Sequence, residues 1–373
     1  MKSALKEYLS LEVFFLGGAS LITCAAFWLF SAKTASLFVV SQVAFGLAFA
    51  FNHPHFLSSY MLLYGDFRKN IMQSARYLWA AVIAPFVLGA GLIYCFATGN
   101  VTWIGHSLNL MFFLVGWHYV KQVFGCVIVT SARRKLYYSK WERRAILANL
   151  FCIWMVSFLQ GQAGGTFFTF YGINYAALGI GRGLIPWALG FTGATFAAVI
   201  YLHIRKGVRP SPPAAAALAS LYVWYLPVFA HPGFAYFIPL FHSMQYLTFV
   251  WSFKTNQVGD YLRTLKTDSE KRKIWMRDLL GYAAMAAMLG AMAFEFVPKF
   301  LDSRQILQNP ALGTSPFVAA FLIFINVHHY FIDNVIWRST NDQVKKYLFA
   351  PARVEDKTLS NKSAGKSDSR FAS

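Results

Sequence analysis

Ten stretches of about twenty apolar residues dominate the chain, at roughly 11–31, 35–64, 77–97, 101–130, 145–160, 184–204, 215–230, 234–253, 278–297 and 316–337. A hydrocarbon core about 30 Å thick is crossed by about 20 residues of helix. Within it, every backbone N–H and C=O must find its partner inside the protein, which leaves helices and closed barrels. Runs of this length favour helices. The composition agrees, because only 13% of the residues are charged, against about 25% in soluble domains. The sequence therefore predicts an all-α polytopic membrane bundle of about ten transmembrane helices. One domain is expected over 1–350, followed by a disordered, polar cytoplasmic tail over 351–373. The first run is too long for a signal peptide and lacks a small-residue cleavage site, so it is expected to remain as a helix.

The loops give an orientation. Lys and Arg collect before the first run and after the second (Arg68, Lys69, Arg76), fourth (Arg133 to Arg144), sixth (Arg205, Lys206, Arg209) and eighth (Lys254 to Arg277). The alternate loops hold only Lys33, Arg182, Lys299 and Arg304. The positive-inside rule then places both termini in the cytoplasm, as for a protein of a bacterial cytoplasmic (inner) membrane. The net charge of +19 comes from Lys and Arg gathered in particular loops, not along one amphipathic face, which argues against a nucleic-acid surface; those of the tail are expected to rest on anionic membrane lipid. Cys24, Cys95, Cys126 and Cys152 all fall in apolar runs without CxxC spacing, so free thiols are expected. Residues 161–183, rich in Gly and aromatic side chains, form an outer loop or re-entrant segment.

Against this apolar background the stretch from Asn326 to Arg338 stands out, with His328, His329, Asp333 and Asn334 close together. An ionisable group in hydrocarbon costs about 2.5 kcal/mol or more and marks a functional site by default. Three further runs carry histidines: His53 and His55 in the second, His118 in the fourth and His242 in the eighth. All four runs point the same way, so depth can be counted to the next cytoplasmic charge. From His55, His118, His242 and His329 that count is about 13, 15, 12 and 9 residues. At about 1.5 Å per residue, the histidines lie roughly 14–22 Å from the inner boundary. A common depth is what one shared site requires.

These observations identify His53, His55, His118, His242, His328 and His329 as candidate metal ligands. Pro54 lies between the first two, and a distortion there would turn both inward. His329 and Asp333 are four apart and share a helix face, so Asp333 is expected to orient the imidazole and to be ionised. Lys121 is expected to neutralise Asp333 or to grip an anionic substrate. Gln122 and Gln245 are expected to orient imidazoles or bind substrate. His106, His203 and His231 fall near helix ends and are expected to be interfacial.

Imidazole suits iron, copper and zinc. HExxH, GxSxG and Walker motifs are absent, and so is CxxCH for covalent haem. A mostly histidine site within hydrocarbon resembles in kind the membrane-integral, histidine-ligated non-haem iron oxygenases: the fatty-acid desaturases and hydroxylases, and the bacterial β-carotene dioxygenases. The likeness lies in ligand type and setting. HxxxH and HxxHH boxes are absent, His328-His329 being a bare pair, and no family residue is carried over. It implies a non-haem iron oxidoreductase with a lipid-soluble small-molecule substrate and an electron-donor protein as partner. The alternatives are a b-type haem held by His118 and His242, a copper or zinc site, a transporter using the same histidines with Lys121 and Asp333, and a non-catalytic assembly protein.

Overall fold

The computed structural model describes residues 10–31, 37–65, 72, 74–263 and 267–349. The expected tail over 351–373 and the basic residues Arg68, Lys69 and Lys266 lie outside them. The chain runs through α1 (Leu11–Leu29), α2 (Leu37–Tyr64), α3 (Ala75–Ala97), α4 (Val101–Arg133) and α5 (Lys140–Gly161). A hairpin of β1 (Phe167–Phe170) and β2 (Ile173–Ala176) follows. Then come α6 (Leu184–Lys206), α7 (Pro212–Tyr225), α8 (Ile238–Leu262), α9 (Ser269–Ser303), α10 (Pro316–Ile336) and the short α11 (Asp342–Tyr347). Among the described residues, eight helices are long and apolar enough to cross a membrane: α1, α3 to α6, α7 extended to Phe229, α9 and α10. The architecture is an all-α membrane bundle. Helices α2 and α8 have 28 and 25 residues, so at about 1.5 Å per residue length does not separate them from the eight.

The segment 161–183 is partly a β-hairpin, not a plain loop. Phe167 pairs with Ala176 and Phe170 with Ile173. Tyr171 and Gly172 both take positive φ, 48° and 85°, as a two-residue hairpin turn with the right twist requires. The Asn109 amide donates to Ala176 O at 2.9 Å and fastens the hairpin to α4. Of the cysteines, all four are free thiols, as expected.

Local signals set the helix ends. Ser139 and Glu142 form a reciprocal capping box at the start of α5. Pro316 opens α10, and the Asp302 carboxylate accepts from the N–H groups of Phe317 and Val318 at 2.8 and 3.2 Å. A carboxylate there satisfies orphan donors and meets the positive end of the helix dipole. Gly290 lets α9 press against α2, since a Cβ at this position would stand 2.9 Å from the His53 carbonyl carbon.

Helix α10 is the axis of the bundle. In its apolar window 56% of residues are buried within the protein, against 17% for α6 at the periphery. It packs on α2, α3 and α4, while α8 packs on α2 and α4. The four histidine-bearing helices, α2, α4, α8 and α10, thus surround one interior volume.

Candidate metal centre

Each of these helices delivers one imidazole to that volume. His55, His118, His242 and His329 are all buried, and one ring nitrogen from each lies within 4.8 Å of the others. Such a cluster of four histidines can hold a metal ion. Of these nitrogens, His118 Nε2 and His329 Nε2 stand 3.3 Å apart. Two donors bound tetrahedrally to one ion through bonds of about 2.0–2.1 Å would stand about 3.4 Å apart.

Hydrogen bonding fixes the tautomer of two of the rings. Ser59 lies four residues after His55 on the same face of α2, and its Oγ sits 2.8 Å from His329 Nδ1. A serine hydroxyl has one proton, and that of Ser59 goes to Phe56 O at 2.6 Å. His329 Nδ1 therefore donates to Ser59, and its Nε2 presents a lone pair to the centre. Ser243 repeats the arrangement: its proton goes to Pro239 O at 2.7 Å or Asn52 Oδ1 at 2.9 Å. His55 Nδ1, 3.3 Å away, then donates to Ser243, and His55 Nε2 is left as a buried acceptor without a partner. Metal-binding histidines are oriented by this kind of outer hydrogen bond.

Asp333 lies beside His329, as expected, but on the side of Nε2 and not of the outer nitrogen. Its Oδ2 stands 3.3 Å from His329 Nε2 and 3.5 Å from His118 Nε2, on the inward side of both rings. It is near these nitrogens but hydrogen-bonded to neither. Its other oxygen accepts from the Tyr246 hydroxyl at 2.9 Å, and Tyr246 accepts from Trp337 Nε1 at 3.0 Å. Serines orient two of the imidazoles, and the carboxylate stands beside the four-histidine cluster with one oxygen unbonded.

Three buried polar atoms of these residues have no hydrogen bond: His55 Nε2, His242 Nδ1 and Asp333 Oδ2. Leaving each unsatisfied costs about 1–3 kcal/mol. A cation shared by the cluster answers these orphans together, so the residues present fit a bound transition metal.

The other expected site residues stand apart. His53 points away from His55, because α2 remains helical through Pro54 and two helical residues differ by about 200° in direction. Its ring stacks on Phe294 at 4.6 Å, with Nε2 4.0 Å from Glu295. His328 is saturated: Tyr60 OH lies 2.8 Å from Nδ1 and Ala80 O 2.8 Å from Nε2. Gln122 donates to His242 O at 2.9 Å and to Gln245 Oε1 at 3.3 Å. Gln245 donates to Leu16 O and Ser220 Oγ at 2.5 and 2.9 Å. Both amides therefore join helices α1, α4, α7 and α8 instead of orienting an imidazole. Lys121 is exposed, 5.9 Å over the Phe124 ring, and does not form the expected pair with Asp333.

Ser59, Ser243 and Tyr246 were not singled out from the sequence. Ser59 and Tyr246 each follow a cluster histidine by four residues, and Ser243 adjoins one. Exposed His106, and His203 bonded to Tyr138 and Val199 O, lie outside the centre. Searches of protein-family models, curated proteins and solved structures found nothing that matches this chain.

Proposed function

We propose that the protein is a membrane-integral, metal-dependent oxidoreductase that uses non-haem iron and dioxygen on a lipid-soluble substrate. The observation that carries this reading is the triangle of His118 Nε2, His329 Nε2 and Asp333 Oδ2, with sides of 3.3, 3.3 and 3.5 Å. Two histidines and one carboxylate on one face, with room for more ligands, is the donor pattern of non-haem Fe(II) oxygenases. His55 and His242 supply further nitrogens. Iron in this centre would supply the redox chemistry with dioxygen. The chain's own part is to hold the donors. Ser59 and Ser243 keep Nε2 of His329 and His55 free of protons, while the Tyr246 hydroxyl donates to Asp333 Oδ1 and so fixes the direction of Oδ2.

Burial of the donors among apolar helices favours a substrate that arrives through the lipid. The basic loops favour ten spans with both termini in the cytoplasm of a bacterial cell, α2 and α8 included. An electron-donor protein would then dock on the cytoplasmic face. A haem between His118 and His242 fits poorly: their rings already meet edge to face, 4.9 Å between centroids, and leave no space for a macrocycle.

The test is metal analysis of detergent-purified protein together with its optical spectrum. Stoichiometric iron without a Soret band is expected, and it should vanish in His118→Ala. A Soret band, or metal-free protein from iron-replete cells, overturns the proposal.

A further inference from the structure

A second polar recess lies at the opposite end of α10 from its Asp302 cap. It has a volume of about 320 Å³ and is walled by Ser74, Arg76, Tyr77, Arg338, Thr340 and Asn341. That volume lies within the range of small-ligand sites, about 300–1,000 Å³. Its frame is built. Asn341 donates to Tyr77 OH at 3.2 Å and to Ile336 O at 3.3 Å, which ties the start of α3 to the end of α10.

The frame leaves charge uncompensated. Among the described residues, neither Arg76 nor Arg338 makes an ion pair, and no carboxylate lines the recess. Arg338 spends only its Nε–H, on Asn334 O at 2.9 Å, so its outer guanidinium N–H groups remain. Ser74 makes no capping bond with its side chain, so its hydroxyl is also available. Two guanidinium groups with hydroxyls beside them match the oxygens of a phosphate, which arginine binds through paired N–H donors.

Location narrows the source. The recess sits where span α3 begins and span α10 ends, which is the level of lipid headgroups. Basic pockets between membrane helices on the cytoplasmic side commonly take such headgroups. We propose that this recess binds a phosphate group, that of an anionic membrane phospholipid, with free phosphate as the other source of the same chemistry. Because α10 also carries His329 and Asp333, an occupied recess would brace the helix that holds the centre.

The experiment is native mass spectrometry of the full chain in detergent, titrated with dioctanoyl phosphatidylglycerol with and without millimolar inorganic phosphate. One saturable lipid is expected, with affinity lowered about tenfold or more in Arg76→Gln/Arg338→Gln and unchanged in Arg144→Gln. Lipid binding that phosphate does not displace assigns the site to headgroups; displacement assigns it to free phosphate. Equal binding by the double variant, or equal loss in Arg144→Gln, overturns the proposal. Wild-type protein gives an independent readout through phenylglyoxal labelling of Arg76 and Arg338. The lipid should slow it, and an unchanged labelling rate also overturns the proposal.

Discussion

His328 and His329 are neighbours on one helix, equally buried, and in opposite chemical situations. His328 accepts from Tyr60 on Nδ1 and donates from Nε2 to Ala80 O, so its hydrogen-bonding capacity is spent. His329 donates from Nδ1 to Ser59 and keeps an Nε2 lone pair, aimed at three more histidines and a carboxylate. The two rings are opposite tautomers. A buried histidine is therefore a site or a strut according to what its second nitrogen meets, and burial alone does not distinguish them. His53 is a third case: one of its nitrogens is orphaned like those of the centre, yet it stands alone against Phe294 and Glu295.

The largest effect should come from exchanging the two roles by deletion. His329→Ala should abolish metal retention, measured by elemental analysis of purified protein, and leave the helical content intact. His328→Ala should keep the metal and lower thermal stability, since Tyr60 OH and Ala80 O lose their partner at about 1–3 kcal/mol. Equal metal loss in both would erase the distinction drawn from their hydrogen bonds.

Asp333→Asn comes next. The amide keeps the shape but loses the charge, and its NH2 group can turn toward His118 and His329. Metal affinity should fall by about 10–100-fold, as for loss of a close supporting partner, and more if the carboxylate is itself a ligand. A competition titration with a chromophoric chelator measures this. Unchanged affinity would return Asp333 to a purely structural role with Tyr246.

Ser59→Ala is milder. It frees His329 to take the other tautomer, with the proton on Nε2, and so weakens the lone pair available to a metal. A loss of about tenfold in affinity is expected, at the low end for such outer partners. Ser243→Ala should behave likewise through His55. The same substitution at a serine unconnected to the centre, Ser107, should have no effect.

Depth was legible in the sequence; direction was not. Counting to the cytoplasmic charges brought His55, His118, His242 and His329 to one level, and the structure joins those four. The same count included His53 and His328, which the structure turns elsewhere. A helix that is apolar nearly all round carries no moment to say which face is inward. Only packing against neighbours decides, as Gly290 of α9 decides the seating of α2. Lys121 shows the same limit: three residues after His118, it nevertheless lies exposed. The helix-spacing rule was informative where two polar residues were four apart, as for His55 with Ser59 and His242 with Tyr246. The hairpin at 167–176 was hidden because its strands have only four residues each.

The smallest expected effect makes the strut resemble the site. Tyr60→Phe removes the hydroxyl that His328 Nδ1 accepts from and leaves that nitrogen a buried lone pair, as at His55 Nε2. If an unsatisfied imidazole were enough to bind metal, the variant should gain a second ion. No histidine of the centre is hydrogen-bonded to His328, and its Nε2 proton remains committed to Ala80 O, so no convergent donor set forms. Metal content should stay at the wild-type value. Stability should drop by about 0.6 kcal/mol, the average for a hydrogen bond between membrane helices. Elemental analysis alongside thermal unfolding reads both quantities on one sample. An added equivalent of metal would show that openness alone makes a site here; an unchanged content would show that convergence of several donors is the requirement.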